Sequence, residues 1–192
     1  ASIAVASSAV GTYPITASGG TDNNYTFTYV SGTLTVNKAT LTAKADDLSR
    51  PYNTDNPALT VSYSGFKNNE TSSVIDAAPV AATAAIKTSL PGTYPITVSG
   101  GTDNNYSFSY QSGTLTVTKL AQIVTFTLPA TLFQDESPYT LTATSTSGGP
   151  IVFSVTAGNA TVSGNILTIN GPGTLTIKAE QGGTDIYTAR SE

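Results

Sequence analysis

Residues 11 to 39 read GTYPITASGGTDNNYTFTYVSGTLTVNKA, and residues 92 to 120 read GTYPITVSGGTDNNYSFSYQSGTLTVTKL. The offset is 92 − 11 = 81 residues, and the two stretches are identical at 23 of 29 positions. Two near-copies at a fixed period indicate a tandem array, and each copy is then one structural unit stacked on its neighbour. The substitutions Ala17/Val98, Thr26/Ser107 and Thr28/Ser109 keep the apolar and polar pattern. Residues 1–8 align with 82–89 at the same offset, so the sequence opens partway through a repeat. Ala1, Ile3 and Val5 are expected to share one face of an extended segment, as are Ala82, Ala84 and Ile86.

Inside the repeated stretch the period is two. Tyr13, Ile15 and Ala17 alternate with Thr12, Pro14 and Thr16, the pattern of a half-buried strand. Pro14 has no N–H for a ladder, which puts this strand at an edge or its N–H position facing out. The cluster Gly19-Gly20-Thr21-Asp22-Asn23-Asn24 is a turn, and Tyr25, Phe27 and Tyr29 then line one face. Ser31-Gly32 interrupts before Leu34 and Val36, which predicts a β-hairpin. The two copies are expected to superpose, with Tyr13/Tyr94, Ile15/Ile96, Phe27/Phe108 and Leu34/Leu115 buried in both.

Between the copies, residues 39–45 alternate directly after Lys38 with no Gly/Ser spacer, implying a short, stiff junction. Asp46 to Pro57 is rich in turn formers, and Leu59, Val61 and Tyr63 resume a strand. Residues 67–75 are the one helix candidate, with Asn68 or Asn69 as cap and Val74 and Ile75 packing inward. Residues 80–86 read as a strand. From Leu120 no third sequence copy appears, but short alternating runs (124–128, 139–143, 151–155, 167–169, 175–179) separated by Gly, Pro and Asn turns read as a β-sandwich.

Composition points the same way. Charged residues are 10% of the chain, against roughly 25% in an average globular protein, and Thr and Ser fill the gap. The eight Lys and Arg are scattered singly, so there is no basic footprint for nucleic acid. No apolar run approaches the roughly 18 residues of a membrane span. His, Cys, Met and Trp are all absent, which excludes Ser–His catalysis, thiolate metal sites and a disulfide framework. No cofactor is expected.

Four groups bear on chemistry. Asp22 and Asn24, with Asp103 and Asn105, offer oxygen ligands of the kind calcium takes, but they lack a full loop pattern and a downstream bidentate Glu, so a structural turn is the better reading. Asp46-Asp47 and Asp135-Glu136 are adjacent acids, which point opposite ways in a strand and read as solvated loops rather than a hydrolytic pair. Tyr25, Phe27 and Tyr29, with Tyr106, Phe108 and Tyr110, could stack on sugars but at strict period two read as core. Four Asn-x-Ser/Thr triplets begin at Asn24, Asn69, Asn105 and Asn159, and triplets of this kind arise by chance in a Thr-rich chain.

The blocks YPIT, NYxFxY and GTLTV, with PALTVSYSGF at 57–66, fall in the order found in MBG-type repeats of bacterial surface proteins, which the chain resembles. A Tyr-Gly-Asp-type motif of such repeats stands here as Tyr52-Asn53-Thr54-Asp55 and departs from it. The resemblance divides the chain into the rear part of a repeat (1–38), a complete repeat (39–119) and, at 120–192, a stretch similar to bacterial Ig-like modules. The expected fold is all-β: tandem small modules, β-grasp-like or sandwich with one short helix, then an Ig-like sandwich, in an elongated array. The resemblance implies an extracellular, adhesin-like parent at the bacterial cell surface or secreted from it, and it transfers no catalytic residues. The expected role is a structural stalk that spaces a distal binding domain from the envelope. The alternative is a module binding a glycan or a host protein, and an enzyme is disfavoured. Partners are the neighbouring repeats. The open edge left by 1–38 implies an excerpt of a longer chain, or completion by another copy.

Overall fold

A computed structural model describes all residues 1–192. The chain is almost entirely strand and turn, as the alternation and the low content of helix formers predict. It separates into two compact units, Ala1–Leu48 with Asn56–Ala85 and Thr93–Thr116, and Ser49–Asp55 with Ile86–Gly92 and Val117–Glu192.

The first copy of the repeat contributes β1 (Gly11–Ile15) and β2 (Gly32–Val36), an antiparallel pair with Tyr13 opposite Leu34. Residues 39–119 contribute β3 (Ala39–Ala45), β4 (Leu48–Pro51), β5 (Val61–Ser64), β6 (Val80–Thr83), β7 (Gly92–Ser99), β8 (Tyr106–Gln111) and β9 (Gly113–Thr118). These form a three-stranded sheet in the order β5-β3-β8 and a four-stranded sheet in the order β4-β9-β7-β6. β3 runs antiparallel to β5 and parallel to β8. The core combines Ala43 and Ala45 of β3 with Ile96 and Val98 of β7 and Leu115 of β9, flanked by Tyr63, Tyr94 and Phe108. The alternating faces of both sheets thus meet in one layer, a small sandwich.

Four sequence expectations need correction here. The hairpin does not form: β8 and β9 lie in different sheets. A two-residue hairpin turn needs a left-handed residue at its first central position. Neither Ser31 nor Ser112, the first central residues, has positive φ, and the break at Ser112 carries the chain across from one sheet to the other. The helix candidate shrinks to a single 3-10 turn, Ser72–Val74, with Thr71 rather than an Asn before it and no side-chain cap. Asn68 and Asn69 instead take left-handed φ values of 53° and 60°, and Val74 is exposed. The strand expected over 80–86 stops at Thr83, and Ile86 is exposed, as are Ile3 and Val5.

The fourth correction concerns the twins. Leu115 and Ile96 are 0% exposed, whereas Leu34 is 39% and Ile15 41% exposed. Phe27 is exposed while Phe108 packs against the core, and residues 25–30 form no strand although their twins 106–111 do. The cause is the missing neighbour. β8 is held by β3, which begins 106 − 39 = 67 residues earlier. No strand is paired with residues 25–30 in the way that β3 is paired with β8. Pro95 is accommodated because β6 pairs only with residues 96–99 of β7 and has ended before Pro95 is reached.

The second unit holds β10 (Val124–Phe126), β11 (Tyr139–Thr140), β12 (Ala143–Ser145), β13 (Val152–Ala157), β14 (Ala160–Ser163), β15 (Ile166–Ile169), β16 (Thr176–Gln181) and β17 (Arg190–Ser191). They form antiparallel sheets β10-β12, β11-β15-β14 and β13-β16-β17 around Leu141, Leu167 and Ile177. A second 3-10 turn spans Gln134–Glu136. Gln122 and Gln181 are buried, and an amide removed from water is costly unless bonded. Here the Gln122 amide donates to Gln181 Oε1 and to the Thr188 carbonyl, and its oxygen accepts from Ser147. No helix is long and apolar enough to cross a membrane.

Candidate functional site

The DNN turn is where the sequence placed its calcium candidates, and the structure gives it a different task. Asp103 is buried, and its Oδ1 accepts the N–H groups of Asn105 (2.7 Å) and Tyr106 (2.8 Å). Its Oδ2 accepts the N–H of Asp76 (3.3 Å), and the Asn105 Oδ1 accepts the N–H of Val10 (3.1 Å). The side chain therefore does for this loop what an N-cap does for a helix, satisfying donors that have no ladder partner. In the first copy Asp22 Oδ1 accepts from Asn24 (2.8 Å) and Tyr25 (3.0 Å) in the same way. No group of three or more acidic side chains has metal-binding spacing.

This turn also receives Lys38 and Ala39. Lys38 Nζ donates to the Asp103 carbonyl (2.6 Å), the Ala39 N–H donates to the Asn105 carbonyl (2.9 Å), and Ala39 lies opposite Tyr106 in a parallel ladder. Residues 119 and 120 repeat this geometry. Lys119 Nζ donates to the Thr184 carbonyl (2.5 Å), the Leu120 N–H donates to the Ile186 carbonyl (2.8 Å), and Leu120 forms a parallel bridge with Tyr187. The lysine spans 65 residues in both cases. Thr184 Oγ1 accepts from Ile186 (3.2 Å) and Tyr187 (3.0 Å), taking the place of the Asp103 carboxylate.

Turn residues Asp22, Asp103 and Thr184 are thus 81 apart, and Tyr25, Tyr106 and Tyr187 are as well. The period persists into a stretch whose sequence carries no third copy. Sequence reading missed this because Thr184-Asp185-Ile186-Tyr187 shares only its Tyr with Asp103-Asn104-Asn105-Tyr106; a threonine hydroxyl and an aspartate carboxylate solve the same backbone problem. Asp103→Ala should cost about 1–3 kcal/mol, because it strands buried N–H donors. Asp103→Thr, the residue found at 184, should recover much of that loss in urea unfolding, while Asp22→Ala in the exposed first turn should change little.

Tyr106 anchors the strand that follows. Its ring meets Phe66 edge-on at 5.7 Å, its hydroxyl donates to Glu70 Oε2 (2.6 Å), and it accepts the N–H of Lys67 (2.8 Å). Burial, then the hydrogen bond to the Glu70 carboxylate, raises its pKa above the ordinary 10.0. A raised folded-state pKa gives stability that is whole below the unfolded value and is lost as pH climbs through the folded one. The urea midpoint should therefore fall as the pH climbs above about 10, and Tyr106→Phe should flatten that fall. Tyr63, also raised by burial, leaves a residual slope.

The remaining candidates are placed separately. Asp46 Oδ2 accepts from Thr60 Oγ1 (2.6 Å), and hydroxyl bonds from Thr60 and Ser62 hold its carboxyl below the usual range. Asp47 Oδ1 takes the N–H of Thr114 (2.7 Å), so the two acids serve different backbone neighbours. Asp135 and Glu136 lie on the exposed 3-10 turn, with Glu136 accepting from Tyr139 (3.2 Å). At Tyr52-Asn53-Thr54, Asn53 has a φ of 58°, the left-handed conformation a glycine adopts without cost and Asn tolerates best among other residues.

The sequence model of the MBG domain (YGX type) matches residues 1–35 and 41–116, more than half of the chain. The chain belongs to the MBG domain family. MBG domains are typical of bacterial surface proteins and are structural repeats not known for catalysis. A comparison with curated proteins found no match.

Proposed function

We propose that this MBG chain is a spacer segment of an extracellular bacterial surface protein, holding a distal binding domain away from the envelope. Residues 1–38 are the rear of one repeat, 39–119 a whole repeat and 120–192 an Ig-like module. One observation carries the reading: the lysine clasp on the following turn recurs at both boundaries with the same 65-residue span, although the modules joined differ in sequence. A junction of fixed geometry, built from backbone carbonyls and one lysine, can be repeated without a flexible linker, and each module then contacts mainly its neighbours.

The test is small-angle scattering of this chain beside a version with residues 39–119 duplicated. A spacer lengthens by a constant increment for each copy, and a glycan array shows no saturable sugar. A compact particle that grows as a globule would overturn the spacer reading. A saturable sugar lost on Tyr25→Ala would favour the binding-module alternative, for which the exposed Tyr25, Phe27 and Tyr29 speak.

A further inference from the structure

The loop that follows β15 carries the sole Asn-Gly pair of the sequence, Asn170-Gly171. It leads from β15 in one sheet of the second unit to β16 in another. The amide carbon of an asparagine is an electrophile, and the backbone nitrogen of the next residue is the nucleophile nearest to it along the chain. Local restraints usually keep the two from reacting: a side chain that shields the nitrogen, a ladder bond that holds its N–H, or a hydrogen bond that holds the asparagine amide. None operates here. Gly171 has no Cβ. The pairing of β14 with β15 ends where the Asn170 N–H donates to the Asn159 carbonyl (2.9 Å), and the Gly171 N–H makes no hydrogen bond. The Asn170 side chain is exposed and makes none either. Other asparagines are restrained. Asn105 Oδ1 accepts the Val10 N–H. Asn56 Nδ2 donates to the Ala85 carbonyl (2.7 Å), and Pro57 after it has no N–H to lose. Asn165 is exposed, but the branched Ile166 follows it and is already paired in β15.

We propose that Asn170 is a site of spontaneous deamidation, with water as the only co-reactant. The Gly171 nitrogen gives up its proton and attacks Asn170 Cγ. The new N–Cγ bond closes a succinimide, the Cγ–Nδ2 bond breaks, and ammonia leaves with the proton. Water then opens the imide. Attack at Cγ restores the normal chain as aspartate. Attack at the main-chain carbonyl carbon of Asn170 leaves the chain running through Cβ, as isoaspartate. The sum is amide plus water giving carboxylate and ammonium. Either product adds a negative charge to a chain whose formal net charge is −4. Isoaspartate also lengthens the connection between the two sheets by a methylene. Little slack exists for it, because Gly171 packs against the turn that starts β14: a Cβ there would lie 2.4 Å from Asn159 Nδ2. The isoaspartyl form is therefore expected to release the Asn170–Asn159 bond and to loosen the adjoining ends of β14 and β15.

The test incubates the full folded chain in mildly alkaline buffer and follows its peptides by mass spectrometry, with a separation that resolves aspartyl from isoaspartyl forms. Asn170 should convert about tenfold faster or more than Asn165, a gap that corresponds to about 1.4 kcal/mol in barrier. The folded chain should convert Asn170 at a rate similar to that of the same chain in urea, because neither reacting group is tied down. Gly171→Ala should slow the site to the level of Asn165. Its Cβ crowds only the Asn159 amide, the end of a flexible side chain, so the fold persists. An Asn170 that stays intact, converts no faster than Asn165, or reacts in urea but not in the folded chain would overturn the proposal, as would a Gly171→Ala chain that deamidates as fast as its parent. None of these outcomes depends on whether the protein acts as a spacer.

Discussion

Leu115→Ala is expected to lower stability by about 3 kcal/mol, within the range of about 2–5 for a buried leucine, while Leu34→Ala should cost less than about 1. The two leucines sit in the same GTLTV block at the 81-residue offset. Leu115 is 0% exposed in a layer walled by Ala43, Ala45, Ile96 and Val98, so truncation leaves a cavity as well as losing transfer energy. Leu34 faces Tyr13 across a two-stranded ladder and is 39% exposed, so its truncated site opens to water instead. Urea unfolding followed by tyrosine fluorescence would read the difference. Equal losses at both sites would mean that the first copy packs as the second does.

Gly113→Ala and Gly32→Ala should also part company. A Cβ on Gly113 would lie 2.4 Å from the Ala45 carbonyl oxygen and 2.8 Å from that of Asp46. Both are backbone atoms at the end of β3, so relief requires the two sheets to move apart or the strand to bend. The expected cost is about 1–3 kcal/mol or more, as for overpacking in a filled core. A Cβ on Gly32 would meet nothing closer than Ile15 Cβ at 3.7 Å, an ordinary contact. Gly32→Ala should therefore be neutral, or stabilising by about 0.5 kcal/mol through reduced freedom of the unfolded chain. Thermal melts of the two variants suffice; a destabilised Gly32→Ala would show that a strand end like that of β3 approaches the first copy after all.

The pattern of these twins also explains what could be read in advance. Period-two alternation identified β3, β7 and β9 correctly, because each buries one face and the other stays polar. It could not separate 25–30 from 106–111, since alternation reports which face would be buried and not whether a partner strand exists. The hairpin expectation failed for a related reason: a Ser-Gly break is compatible with a turn or with a crossing between sheets, and the φ of the serine at its first position distinguishes them. The helix expectation at 67–75 rested on asparagines as caps, but the same residues favour left-handed turns, and the turn won. At the junction, the DNN turns were visible as a cluster and were given a weak ligand reading. Their role in receiving the preceding lysine depends on a contact 65 residues away, which no local pattern carries.

All of this rests on the partner strand, rather than the sequence of the segment itself, deciding whether YTFTYV or YSFSYQ becomes a strand. Amide hydrogen exchange on the unmodified chain tests that directly, because both segments report in one sample. The amides of 106–111 should exchange at least about tenfold more slowly than those of 25–30, as paired and unpaired backbone do. Matching protection in the two segments would contradict it.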